Sequence, residues 1–198
     1  MRHAASTGPG PVRTVLWCWR HPRCAAAAGR CIGRTDLTVD PRRARRLAHR
    51  IRATARHEGL TREAWVSPLR RCRAVGDWLR RWGWRVHVDP RLVEMDFGRW
   101  DGRHWHDIPF AEVATWERDL LDHAPGGGES LAQLQRRVAG FRDEAMAAGA
   151  PRVLVTPGGW LQALRRVGGD GDDAIGKGPI DAATWPTPPP CGSLTRWP

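Results

Sequence analysis

Short apolar runs alternate along the chain with longer stretches of helical period. Val15-Leu16-Trp17-Cys18-Trp19 is unbroken and ends abruptly in Arg20-His21-Pro22. A continuous run of that length predicts a strand buried on both faces. Pro22 to Val39 then reads as a long loop. Asp40-Pro41 supplies an N-cap and a first-turn proline. Ala44, Leu47, Ala48, Ile51 and Ala55 follow at helical spacing up to a terminating Gly59. Ala64-Trp65-Val66 predicts a second strand. Ser67-Pro68 opens a second helix with Leu69, Cys72, Val75, Leu79 and Trp82 on one face, and Trp84 to Val88 alternates as a third strand. Residues 89–107 follow no period, and a short helix is predicted around Pro109 to Leu121. Glu129-Ser130 precedes an amphipathic helix carrying Leu131, Leu134, Val138, Phe141 and Ala145, which Gly149 closes. Arg152 to Thr156 is another buried strand, ended by Pro157-Gly158-Gly159, and Trp160 to Val167 a short helix.

Strands alternating with helices predict an α/β fold, a three-layer α/β/α sandwich with a mainly parallel central sheet. The expected boundaries are a disordered extension at 1–12, one domain at 13–167, and a Gly/Pro-rich tail at 168–198. That tail is expected to lie over or trail from the surface without regular structure. No apolar run reaches membrane-spanning length, so no membrane partner is expected. There is no apolar segment of the secretory type. Five cysteines, an odd number with no C-x-x-C pair, argue against a zinc site or disulfide framework and for a cytoplasmic location.

The formal charge is +11, carried almost wholly by arginine; Lys177 is the one lysine. Arginine in such numbers serves anionic ligands such as phosphate or nucleic acid, or fills solvated helix faces under a GC-rich coding bias. The second reading is taken for most of them. Nucleic-acid binding would rest on charge alone, because no binding motif is present and the tryptophans fall mostly at core-like positions.

Sheets of this class build their sites where strands end. Four segments stand out, in order: Arg20-His21, Ser67-Pro68-Leu69-Arg70-Arg71, Glu94 to Gly102, and Val153 to Gly159. Together they resemble the histidine phosphatase (phosphoglycerate mutase-like) superfamily over about residues 13 to 166. Gly29 to Asp36, Ile108-Pro109 and Pro125 to Leu131 look most like its α-ribazole phosphatases. The resemblance implies a phosphomonoesterase acting on a small phosphorylated metabolite, α-ribazole 5′-phosphate of cobalamin biosynthesis in the narrower form, with no cofactor and no metal. It gives His21 the role of nucleophile, forming a phosphohistidine, and Glu94 that of general acid and base. Arg20 and Arg71 would clamp the phosphate, with Arg70 the alternative to Arg71. Arg34, Glu129, Ser130 and Gly158 would contact the substrate.

The chemistry calls for such groups. An imidazole that attacks phosphorus divides one hard step into two. Guanidinium forks grip phosphoryl oxygens and stabilise their charge. A carboxyl group can protonate the leaving oxygen and later activate water. The departures from the family pattern are equally specific. Pro157 stands where the family has its second catalytic histidine, Pro22 and Arg23 replace its usual glycine and acid, and Ala27 replaces an asparagine. A phosphate-binding protein with impaired turnover is therefore the rival expectation.

Overall fold

The computed structural model describes residues 14–167, 181 and 185–197. The expected disordered extension at 1–12 lies outside them, as does most of 168–184. Five strands, β1 (Leu16–Arg20), β2 (Glu63–Val66), β3 (Arg85–Val88), β4 (Arg152–Thr156) and β5 (Leu194–Trp197), form one sheet in the order β3-β2-β4-β1-β5. The first four pair in parallel, and β5 runs antiparallel to β1.

Period-two alternation along the strands explains the layers. Trp17 and Trp19 of β1, with Val153 and Val155 of β4, pack on one side. They meet α1 (Pro41–His57) and α2 (Arg70–Arg81) there. Leu16, Cys18 and Leu154 point to the other side, against α4 (Leu131–Ala147) and α5 (Gly158–Val167). Between β3 and α4, α3 (Phe110–Arg118) follows a segment of 3₁₀ turns. The fold is thus the mixed α/β, mainly parallel arrangement expected.

Local signals account for the helix ends. Asp40 caps α1 by accepting from the Arg42 N–H at 2.7 Å, with Pro41 in the first turn. Ser130 and Gln133 form a reciprocal capping box at the start of α4. α2 begins at Arg70 rather than at Ser67-Pro68, because those two residues complete the turn out of β2. α5 begins two residues earlier than its apolar period indicates.

One expectation fails. The tail is not without regular structure: Leu194–Trp197 is an edge strand on β1. Pro186 to Ser193 first crosses the tip of β1, where the Gly192 N–H meets the carbonyls of Arg20 and His21 at 3.0 and 3.2 Å. Without β5, the buried β1 would leave one side of its backbone unpaired, which is costly.

Candidate active site

β1 and β4 are in register, with Arg20 beside Thr156, so both chains leave the sheet at one point. The His21 N–H donates to the Thr156 carbonyl at 3.1 Å. Arg71, in the first turn of α2, is 1% exposed, and Glu94 lies on the segment after β3. Arg20, His21, Arg71 and Glu94 all line one cavity of about 250 Å³, together with Arg23, Cys24, Ala27 and Cys191. Four residues far apart in sequence are therefore brought together. Arg70, the alternative to Arg71, is exposed, and its N–H donates to Asp36.

His21 is 7% exposed. Its Nδ1 lies 2.7 Å from the Pro22 carbonyl. A carbonyl only accepts, so Nδ1 carries the proton and Nε2 keeps its lone pair. Burial, followed by the Arg71 charge, lowers the imidazole pKa to about 3; the Pro22 carbonyl opposes this and Arg20 adds to it. The folded ring is thus neutral near pH 7. Unfolded His21 takes up its proton below about 6.5, whereas the folded ring resists until about 3. The stabilisation is complete above 6.5 and is lost as pH falls from there towards 3. Wild type should lose stability over that window more steeply than His21→Gln, by at most about 1.4 kcal/mol per pH unit. Denaturant melts of both proteins at several pH values measure the difference, and parallel curves would contradict it.

The arginines are held but not saturated. Arg71 donates through Nη1 to the Thr35 carbonyl and through Nη2 to that of Gly33, at 2.8 and 2.7 Å. Arg20 donates through Nη1 to the Pro189 carbonyl at 2.6 Å. Nε of both is buried without a hydrogen-bond partner among the described residues. Buried donors of that kind are costly unless an acceptor arrives, and a phosphoryl oxygen is such an acceptor.

Glu94, 8% exposed, accepts from the Met95 N–H and, through Oε2, from the Gly159 N–H, both at 3.1 Å. Two glycines at the start of α5 make room. A Cβ on Gly158 would lie 3.0 Å from the Arg20 guanidinium, and one on Gly159 would lie 2.3 Å from Glu94 Oε1. Gly159→Ala should therefore displace the carboxylate while leaving the helix intact. Loss of a positioned general acid typically costs about 10²–10⁴ in rate. Comparing kcat/KM with the melting temperature separates this effect from unfolding; unchanged kcat/KM in the folded variant would contradict it.

A second cavity, of about 540 Å³, shares Arg20, Ala27, Ile32 and Glu94 with the first. It is lined mainly by apolar groups, among them Met95, Phe97, Trp105, Trp116 and Leu120. Phe97 stands edge-on to both Trp105 and Trp116, with ring centroids 6.3 and 6.0 Å away. Gly158 lines this cavity.

Arg34, Glu129 and Ser130, expected at the substrate, line neither cavity. Arg34 pairs with Asp96 at 3.1 Å on the surface, and Ser130 is the cap of α4. Glu129 takes two hydrogen bonds from Arg137, at 2.9 and 2.8 Å. Arg137 also donates to the carbonyls of Arg91, Val93 and Glu94. It thereby fixes the backbone that presents Glu94, a role sequence reasoning missed. Asp101 was missed too: its carboxylate accepts the N–H groups of Gly33, Arg34 and Thr35, which orders the loop that holds Arg71. Pro157 is buried at the tip of β4, next in chain to Gly158.

A cationic pocket at the strand tips of a parallel sheet, with a neutral imidazole and a carboxylate facing the same space, is an arrangement that suits an anionic group on an α/β fold. A sequence model of the histidine phosphatase superfamily (branch 1) matches residues 16–183, and the chain belongs to that superfamily. A search of curated proteins found no match. Among solved structures, the chain is similar to phosphoglycerate mutase from Thermus thermophilus, at 28% identity over 92% of each chain with a TM-score of 0.63. Mycobacterial glucosyl-3-phosphoglycerate phosphatase matches at 27% identity over 92% of each chain, TM-score 0.70. The alpha-ribazole phosphatase from Shigella flexneri is 23% identical over 92% of this chain and 89% of its own, TM-score 0.70, and shares the fold. No helix among the described residues is long and apolar enough to cross a membrane.

Proposed function

We propose that the protein is a phosphomonoesterase that hydrolyses a small phosphorylated metabolite through a phosphohistidine at His21. The observation that carries this reading is the 250 Å³ cavity lined at once by Arg20, His21, Arg71 and Glu94. In the first step His21 Nε2 attacks phosphorus. The ester P–O bond breaks, and protonated Glu94 gives its proton to the leaving oxygen. Water then attacks the phosphohistidine, Glu94 takes its proton, the P–N bond breaks and phosphate leaves. Arg20 and Arg71 hold the non-bridging oxygens throughout, their donors fixed in advance of the charge they stabilise.

The apolar second cavity receives the leaving group on this reading. Its four aromatic side chains, Phe97, Trp105, Trp116 and Trp185, suit a flat, weakly polar group better than a carboxylate. That favours a substrate such as α-ribazole 5′-phosphate, whose base is aromatic. Wild-type protein should hydrolyse 4-nitrophenyl phosphate and, quenched in mid-turnover, carry acid-labile phosphate. Absence of both release and labelling would overturn the proposal. The rival reading, phosphate binding without turnover, is favoured by one observation: Pro157 brings no donor to the position of the family's second histidine. It predicts a melting temperature raised by phosphate monoesters with no hydrolysis.

A further inference from the structure

The fold gathers the charge of the chain onto one layer. α1 carries seven arginines and no acidic residue, and α2 carries five arginines and one aspartate. Twelve positive charges against one negative leave +11, which is the net charge of the entire chain. Everything outside these two helices is therefore balanced. Arg71 is turned into the catalytic cavity, but the other eleven arginines of the pair are exposed. Arg42, Arg43, Arg46, Arg56 and Arg73 make no salt bridge among the described residues, and the lone acid, Asp77, is held by Arg80 at 2.8 Å.

A coding bias towards arginine would spread it over every solvated face. Here α4, on the opposite layer, mixes Asp143 and Glu144 with its arginines. The two cationic helices also lie side by side and are tied together. The Arg45 and Arg52 guanidinium groups of α1 sit 5.4 and 4.8 Å from the rings of Trp78 on α2 and Trp82 just beyond it. Arg81 covers Trp78 from within α2 at 4.9 Å. The result is a positive face with the indole rings of Trp78 and Trp82 against its guanidinium groups and the acids Asp36, Asp40 and Asp77 along its border.

We infer that this α1/α2 face binds the phosphate backbone of a nucleic-acid duplex, independently of base sequence and separately from the catalytic cavity. Guanidinium forks match phosphodiester oxygens. A helix of 17 residues is about 25 Å long at 1.5 Å per residue, and the phosphates of each duplex strand rise about 3.4 Å apiece along the duplex axis while winding around it. A straight face of that length bridges backbone phosphates on both sides of a groove about 12 Å wide. An anionic membrane fits less well. The large hydrophobic side chains exposed among the described residues are Val88, Trp105 and Phe110. None lies on α1 or α2, so this face has no apolar anchor to insert into a bilayer. The expectation that these arginines fill wet helix faces holds for their exposure; the inference adds that the net charge sits on two adjacent helices, where Trp78 and Trp82 pack against the guanidinium groups.

The test is fluorescence anisotropy of a short DNA duplex without terminal phosphates, titrated with the full chain from about 50 to about 200 mM salt. Affinity should fall by roughly 10³-fold or more over that range. Arg42→Gln/Arg46→Gln/Arg73→Gln should bind more weakly at the lower salt and show a salt slope shallower by about three, with phosphatase turnover unchanged. Arg99→Gln/Arg118→Gln/Arg136→Gln, which removes the same charge elsewhere, should bind nearly as wild type does. Three outcomes overturn the inference: no binding at the lower salt, equal weakening by both triple variants, or displacement of the duplex by phosphatidylserine vesicles.

Discussion

His21→Ala should abolish turnover while the protein stays folded. The side chain would be the only bond-forming group in the first step, and removing a nucleophile from an assembled site costs on the order of 10⁶ in kcat. Cys24 lines the same cavity, but burial raises its thiol pKa, so little thiolate is present near neutrality. Its Sγ, moreover, faces the Pro22 carbonyl at 3.9 Å. The variant should also carry no acid-labile phosphate. Binding should survive, because Arg20 and Arg71 are anchored by the Pro189, Gly33 and Thr35 carbonyls rather than by His21. A generic aryl phosphate assayed with both proteins, and a phosphate-induced melting shift for the variant, separate chemistry from binding. Equal rates for the two proteins would remove His21 from the mechanism.

The parts of the molecule legible in sequence are those with a pattern longer than a few residues. The run from Val15 to Trp19 and the helical period of α1 leave little choice of fold, since one face or stripe must be buried against something. Arg20, His21 and Arg71 stood out because each sits in a short frame at the end of such an element, and Glu94 because its irregular segment resembles that of a known family; the structure brings the four to one cavity. Arg137 and Asp101 were not. An arginine on a helix that also carries Arg136 and Arg142 has no local mark, and its role comes from acceptors distant in sequence. Asp101 lies amid loop charges, and only the fold places the N–H groups of residues 33–35 around it. Glu129 and Ser130 carry two readings in sequence, a helix cap and a substrate contact; the structure uses Ser130 as the cap and Glu129 as the ion-pair partner of Arg137. β5 was unreadable for a simpler reason. Four residues after a proline run carry no periodicity, and the need for the strand arises from the open edge of β1.

Pro157→His should raise kcat, and this result bears most directly on whether the site is impaired. Position 157 follows Thr156, whose carbonyl holds the His21 N–H at 3.1 Å; Pro157 itself is buried and lines neither cavity, so the test is whether a longer side chain from this point of the backbone reaches the site. Proline offers neither a side-chain donor nor an N–H. Of the N–H groups next in line, that of Gly159 is taken by Glu94 at 3.1 Å. A histidine would add a donor aimed at oxygens that gain charge in the transition state. One such donor is worth about 10²–10³ in kcat, the upper limit of the expected gain. Pro157→Ala is the control: it removes the ring without adding a donor, and its rate should stay near wild type. Both variants should lose only about 0.4–1 kcal/mol of stability, through a less restricted unfolded chain. The measurement is kcat and KM on one phosphomonoester for all three proteins, with thermal melts to check folding. KM should change little, because the donor acts on the transition state rather than on ground-state binding. A folded Pro157→His protein no faster than Pro157→Ala would move the limitation elsewhere in the pocket. Ala27, where the family has an amide, would then be the next residue to replace.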